Sequence, residues 1–340
     1  MANDTMTEDF RVVASRPGGP EVLALEFLTA QPPGPAELRI RQEAVGVNFV
    51  DTYYRSGLYP HPMPGGVGGE AAGVVEAIGR QVTGFAVGDR VAYGTGGQGS
   101  YATVRNLPAE HCFKLPPEIS CDTAAAIMLK GMTAAYLIGP CARVEQGQWT
   151  LVHAAAGGVG TILIQWLLAI GAKVIAHVGT PAKAERVATL GAEHVLSYTM
   201  ESLPGAIADI TNGEGASIVF DGVGAASWEA SLRSVSTRGL IVSYGNASGP
   251  VPPFTALDLV TAGSVYVTRP SLRDYARTRA ERERLVEALF AAIVANFIKV
   301  EIGQRFPLQS AREAHEALEA RLTSGSTILL PPSVERNKTE

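Results

Sequence analysis

Between residues 149 and 268 the chain alternates strand-like and helix-like segments almost without a break, and no other feature restricts the fold as much. "WTLVHAA", "KVIAHVG", "HVLSY", "ASIVFDGV", "LIVSYG" and "SVYVTR" are short apolar runs that read as strands. Between the first five stand "VGTILIQWLLAIGA", "PAKAERVATLGA", "SLPGAIADITNG" and "ASWEASLRSVSTRG", which read as helices. One opens on Pro in its first turn, and Gly stops close several of them. Strands joined through helices cross over with a right hand and build a parallel sheet covered on both faces. Near-continuous apolar strands are what a doubly covered sheet requires.

The flanks read differently. From about residue 10 to 125 short apolar runs ("VLALEFL", "ELRIRQEAVGV", "AAGVVEAIG", "DRVAYG", "SYATV") are separated by "RPGGPE", "QPPGP" and "PMPGGVGGE". This is the punctuation of an all-β, barrel-like module with few helices. After residue 270 come a long amphipathic helix, "RDYARTRAERERLVEALFAAIVANFI", then "VEIGQRFPL", a second helix and the terminal strand "STILLP". The tail reads as a return to the first module. The expected organisation is therefore a split module, 1–129 with 270–340, around an inserted α/β domain, 130–269. The polar lead-in "MANDTMTEDF" and the tail "SVERNKTE" read as disordered ends.

The strand "TLVHAA" passes through "AAGGVG" straight into a helix. Its small positions, Ala155, Gly157 and Gly160, form an A-x-G-x-x-G variant of the dinucleotide fingerprint. The first position makes a tight turn, the second lets a pyrophosphate approach bare backbone, and the third lets helix and strand pack closely. The helix N-terminus then offers unpaired N–H groups to phosphate. An NAD site wants an acid at the end of the second strand, to hold the ribose hydroxyls. Here that end carries His177, Gly179, Thr180 and Lys183, with no Asp or Glu. A cation beside small polar groups suits a 2′-phosphate and favours NADPH. The plainer alternative is that Lys183 decorates an exposed helix face.

Other chemistries find little support. With 28 basic against 33 acidic residues and a net charge of −5, no nucleic-acid partner is expected. Three scattered cysteines suggest neither a disulfide framework nor a zinc nest, and fit a reducing cytosol. Six histidines show no HxxxH or HExxH spacing and read as satisfied polar residues, so no metal is expected. With no apolar run of about 18 residues, no membrane span is expected. "VGVNFVDTYYRS", residues 45–56, is harder to place. It sets Asn48, Asp51, Tyr53 and Tyr54 directly after an apolar strand-like start, either as a polar strand rim or as the floor of a site.

Taken together, "GVNFVDTYYRSGLYP", "GGEAAGVVEAIG", "GDRVAY", "LKGMTAAYL", "HAAAGGVG", "GAKVIAHVGT", "VSYGNASG", "YVTRPSL" and "EARLTSG" resemble one family across residues 10 to 332. It is the zinc-free, zeta-crystallin-like quinone oxidoreductases of the medium-chain dehydrogenase/reductase superfamily. The resemblance implies an α/β architecture in which a Rossmann doubly wound parallel sheet is inserted into a GroES-like β-barrel catalytic domain, with the site in the cleft between the two. It implies no metal, because zinc relatives carry Cys where this chain has Asn48 and His where it has Gly69.

Carried over by position, the resemblance puts Asn48 and Thr133 at the nicotinamide and Gly157, Gly158, Val159 and Gly160 at the pyrophosphate. Gly179, Thr180, Lys183, Tyr198 and Arg321 would surround the 2′-phosphate, and Val223, Tyr244, Gly245, Asn246 and Arg269 would line the rest of the groove. Tyr53 and Asn48 would hydrogen-bond a developing oxyanion, Tyr54 would pack on the quinone ring, and Asp51 would support them. The implied activity is NADPH-dependent, metal-free quinone reduction in the cytoplasm. The alternatives are C=C reduction of enones or 2-alkenals and a non-enzymatic, crystallin-like NADPH-binding role. A homodimer through the edge strand "SVYVTR" is implied as well.

Overall fold

The computed structural model describes residues 8–29 and 31–332. The expected disorder of the lead-in's first residues and of the tail lies outside the described residues. The first stretch holds β1 (Phe10–Ala14), β2 (Leu23–Phe27), β3 (Glu37–Val47), α1 (Phe49–Ser56), β4 (Gly65–Gly66), β5 (Ala71–Ile78), β6 (Arg90–Tyr93), β7 (Val104–Pro108) and β8 (Phe113–Lys114). After α2 (Cys121–Tyr136) come β9 (Trp149–Val152), α3 (Gly158–Ile170), β10 (Lys173–His177), α4 (Pro181–Ala188), β11 (His194–Leu196) and α5 (Leu203–Ile210). Then follow β12 (Ala216–Asp221), α6 (Trp228–Ser234), β13 (Val235–Ser243), α7 (Ala256–Thr261), β14 (Tyr266–Thr268), α8 (Leu272–Tyr275) and α9 (Arg279–Val294). The chain closes with β15 (Ile302–Pro307), α10 (Ala311–Glu319) and β16 (Ser326–Leu330).

Two compact units result: Met1–Leu129 with Val300–Glu340, and Lys130–Lys299. The first is the split β module. A seven-stranded sheet runs β15-β16-β3-β5-β6-β8 with β7 also on β3, and a small sheet runs β2-β1-β4. The terminal strand earns its place by pairing antiparallel with β3, Thr327 opposite Val47 and Leu329 opposite Val45. Its core gathers Leu38, Ile40, Val45, Val75, Val91, Leu107 and Leu329, all at most 1% exposed.

In the second unit six strands lie parallel in the order β11-β10-β9-β12-β13-β14. Numbered within the unit this is 3-2-1-4-5-6, the order of the doubly wound Rossmann sheet. Leu151, Ile175, Val219 and Ile241, from four neighbouring strands, form its buried centre.

Three readings change. Residues 270–299 belong to the second unit, not the first. Tyr275 stacks on Tyr136 with ring centroids 4.7 Å apart, and Gln165 of α3 holds Lys299 through both of its backbone groups. "VSTRG" is the start of β13 rather than the end of a helix, because Val235 pairs with Ala216 of β12. "NFVDTYYRS" is neither strand nor rim but the helix α1. The apolar stretch Cys121–Cys141 is long and apolar enough to cross a membrane by length and composition, yet most of it is buried inside the fold as a core helix is.

Candidate active site

In the second unit the site begins where β9 gives way to α3. Ala154 adopts φ +49°, the chain turns, and Gly157 caps the helix with no side chain bonded to its free amides. A Cβ on Gly160 would lie 2.6 Å from the Ala154 carbonyl and 2.8 Å from Ala155 Cα, so only glycine lets α3 come this close. A Cβ on Gly157 would stand 3.1 Å from the same carbonyl, and one on Gly179 would meet nothing within 4 Å. Bare backbone at a helix N-terminus is a cradle for a pyrophosphate, and the residues present fit that group.

The end of β10 leads into α4, whose N-cap Thr180 accepts from the Lys183 amide. Lys183 is half-buried, and Tyr198, beyond β11, is exposed. On the far side of β9, Asp221 ends β12 and ties down the next turn. Its Oδ1 accepts from the amides of Val223 at 2.8 Å and Gly224 at 3.1 Å and from the Ser227 hydroxyl at 2.8 Å. A Cβ on Gly245 would lie 2.4 Å from the Gly222 carbonyl oxygen and one on Gly222 would meet the Tyr244 ring at 2.8 Å, and Tyr244 donates its amide to the Asp221 carbonyl at 2.8 Å. Arg269 donates to the Ser243 carbonyl at 2.8 Å. Gly157 to Gly160, Val223 and Tyr244 to Asn246 thus share the C-terminal edge of one sheet, where doubly wound folds bind ligands. Thr133 lies half-buried on α2.

Sequence reasoning treated His153 and His177 as ordinary polar residues. The structure sets them side by side at the ends of β9 and β10, Nδ1 to Nδ1 at 3.3 Å. His177 Nε2 lies 2.9 Å from the Tyr198 carbonyl, and His153 Nε2 lies 3.1 Å from Ser231 Oγ, which donates to Asp221 Oδ2 at 2.7 Å. Burial pushes the His153 pKa down to about 4, and it lowers His177 too.

In the first unit Asn48, Asp51, Tyr53 and Tyr54 come together on α1. Asn48 is the N-cap, and its amide donates to Asp51 Oδ2 at 2.8 Å. Gly57 closes the helix at φ +84°. The Asn48 side chain donates to Glu70 Oε1 at 2.7 Å, while Glu70 Oε2 accepts from the Leu129 amide at 2.6 Å. Glu70, in "GGE", is a residue that sequence reasoning passed over. Asp51 is fully buried, and Tyr101 donates its hydroxyl to Asp51 Oδ2 at 3.1 Å. Tyr101 in turn meets His315 Nε2 at 3.0 Å, and His315 Nδ1 lies 3.0 Å from Arg55 Nη1. Glu319 completes the chain with a two-pronged bond to Arg55. Asp51 therefore holds the start of α1 to Asn48 and Tyr101.

Tyr53 is boxed by Phe49 and Tyr59 at centroid distances of 5.7 and 5.3 Å, and Tyr54 by Tyr59 and His61 at 5.6 and 5.8 Å. Arg321, at φ +59°, follows α10 in the first unit and is exposed. Among the described residues no three His, Cys, Asp or Glu side chains gather as a metal-holding group.

Against known proteins, residues 34–117 match the alcohol dehydrogenase GroES-like domain and residues 158–291 the zinc-binding dehydrogenase family. A quinone oxidoreductase of Pseudomonas aeruginosa is 47% identical, covering 92% of this chain and 97% of its own. A 2-haloacrylate reductase of a Burkholderia species is 39% identical, over 94% of this chain and 98% of its own. The structure of Escherichia coli quinone oxidoreductase complexed with NADPH superposes with a TM-score of 0.92 at 43% identity, over 95% of this chain and all of that one. With such identity along nearly its whole length, and with a GroES-like segment and a Rossmann sheet in the expected places, the chain belongs to the quinone oxidoreductase family of the medium-chain dehydrogenase/reductase superfamily.

Proposed function

We propose that the protein is an oxidoreductase that binds NADPH and reduces quinones without a metal. The end of β10 carries the cofactor assignment: Gly179, Thr180 and Lys183 stand where an NAD site needs a carboxylate. The α3 cradle takes the pyrophosphate, with Gly157, Gly158, Val159 and Gly160 offering backbone. Lys183 and Arg321 supply positive charge to the 2′-phosphate, beside Tyr198. Thr133, Val223, Tyr244, Gly245, Asn246 and Arg269 take the remainder of the dinucleotide. When bound, NADPH supplies the hydride.

The chain's own residues position the acceptor. A quinone takes up a hydride and a proton to become a hydroquinone, and its carbonyls are electron-poor enough to react without a Lewis acid. That agrees with Asn48 and Gly69 standing where zinc relatives keep ligands. The Tyr53 hydroxyl and the Asn48 side-chain amide donate to the oxygen on which charge develops. One Asn48 N–H is already held by Glu70, which fixes the amide's direction and leaves the second for this task. Tyr54 presents its ring to the quinone, and Asp51 keeps α1 in register through Asn48 and Tyr101.

A second reading has its own support, since a relative 39% identical is named for reducing 2-haloacrylate, an acid with a conjugated C=C bond. Steady-state rates with a panel of quinones and enones, using NADPH and NADH in turn and with zinc measured alongside, separate the two. Faster turnover of an enone than of 1,4-naphthoquinone would favour the second reading, and stoichiometric zinc would overturn the metal-free one. The protein is also expected to act in a reducing cytoplasm, where Cys112, Cys121 and Cys141 stay reduced, outside any disulfide. Two copies would join at β14, one of the two edges of the parallel sheet, where Tyr266 is 65% exposed.

A further inference from the structure

Hydrogen counting along the buried row at the C-terminal ends of β10, β9 and β12 gives a result that neither histidine reveals alone. The Tyr198 carbonyl can only accept, so its 2.9 Å bond needs a hydrogen on His177 Nε2. The Asp221 carboxylate can only accept, so Ser231 directs its single hydroxyl hydrogen to Oδ2. The 3.1 Å link from Ser231 to His153 Nε2 then needs a hydrogen on that ring. One more must lie between the two Nδ1 atoms, 3.3 Å apart. Three ring hydrogens are required, and two neutral imidazoles carry two. The row is complete only when the pair holds one extra proton.

We propose that His153 and His177 are positioning residues of the cofactor site: one proton shared between their Nδ1 atoms completes a hydrogen-bonded row from the Tyr198 carbonyl to the Asp221 carboxylate, tying the segment after β11 to the turn after β12. This rests on the reading of that sheet edge as an NADPH site. The segment after β11 carries Tyr198, assigned to the adenosine phosphate, and the turn after β12 carries Val223, whose amide Asp221 holds. The extra proton comes from solvent, and its charge is balanced by Asp221. The charged and titratable groups that act on the pair are the other ring and Asp221, while Ser231 of α6 and the Tyr198 carbonyl are its uncharged partners. Burial opposes the charge and Asp221 favours it, and burial prevails. The row is therefore open at one link near neutral pH and closes on the acid side of the ordinary histidine range.

Two measurements on the full-length protein test this. Nitrogen-15 spectra of the two rings between pH 8 and about 3.5 should show them taking up one proton together on the acid side of 6.5, with the Nδ1 atoms changing most. Calorimetric titration with NADP⁺ over the same range, on wild type and His177→Asn, cancels the titration of the ligand's own phosphate. The variant-to-wild-type ratio of Kd should rise about threefold to tenfold as pH falls, the range one hydrogen bond supplies. A flat ratio, or rings that titrate independently or not at all, overturns the proposal. If wild type binds no NADP⁺ at any pH, the cofactor-site reading and the positioning role fall together, and the spectra alone decide whether the proton is shared.

Discussion

Arg55 Nη1 lies 3.0 Å from His315 Nδ1, and because a guanidinium can only donate, this one contact sets the histidine's tautomer. Nδ1 accepts, so the hydrogen sits on Nε2 and is donated to the Tyr101 hydroxyl, which donates onward to Asp51. Each of these links is made with the ring neutral. It cannot serve as a proton wire, because its first member never gives up its charge. What it does is clamp α1 to α10, with Asp51 and Arg55 one helical turn apart on α1 and His315 and Glu319 one turn apart on α10.

The clamp predicts a graded loss of stability. His315→Leu leaves the buried Arg55 and the Tyr101 hydroxyl each short of a partner. Unfolding in urea should show a loss of about 2–4 kcal/mol. Tyr101→Phe removes a single hydroxyl and should cost about 1–2 kcal/mol. Equal effects from the two changes would show that the row is not held together as described.

The same histidine makes stability depend on pH. Burial and the Arg55 charge push the His315 pKa down from 6.5 to about 3. Between those values the unfolded chain binds a proton that the native ring refuses, so stability falls as pH falls. The contribution is fully present above pH 6.5 and is lost progressively toward pH 3. His153, pushed down to about 4, acts in the same direction. Urea midpoints measured from pH 7 to 4.5 should decline steadily, and His315→Gln should flatten the decline. A variant as pH-sensitive as wild type would contradict this.

Local signals made part of the molecule readable in advance. Each strand of the parallel sheet declared itself by a short apolar run, and the β9 to α3 turn by three small residues whose steric need lies within a few positions. The helix α1 carried its own stop signals too, Asn48 and Asp51 at the start and Gly57 at the end, but Phe49, Val50, Tyr53 and Tyr54 favour strands and masked them. The polar rows were not legible for a different reason. Arg55 and His315 are 260 residues apart and Ser231 and His153 are 78 apart, so their meeting depends on strand and helix order rather than on spacing. Residues 270–299 were misassigned on similar grounds, because an amphipathic helix shows that it is buried on one side and not against which partner.

The glycines of the candidate cradle can be told apart. Gly160→Ala forces a Cβ to 2.6 Å from the Ala154 carbonyl, so it should lower the melting temperature and weaken NADPH binding together. Gly179→Ala meets nothing within 4 Å and should leave the melting temperature within about 1 °C of wild type. If the dinucleotide passes close to that backbone, NADPH affinity should still fall. Unchanged affinity in Gly179→Ala would move the cofactor's path away from the end of β10.

Cofactor choice gives the sharpest test of the charges. Lys183→Ala and Arg321→Ala each remove one cation assigned to the 2′-phosphate, and hydrogen bonds to charged groups are each worth about 1.5–3 kcal/mol. KM for NADPH should rise about tenfold to a hundredfold in either variant. NADH lacks the phosphate, so its KM should change less than about twofold, and kcat with either cofactor should hold, because neither residue is assigned to the reacting atoms. Salt should discriminate further, since screening weakens an exposed charge pair. Raising ionic strength should lift the wild-type KM for NADPH toward the variants' and leave that for NADH alone. An equal rise for both cofactors would place these cations on a phosphate common to the two, and the preference for NADPH would then need another source.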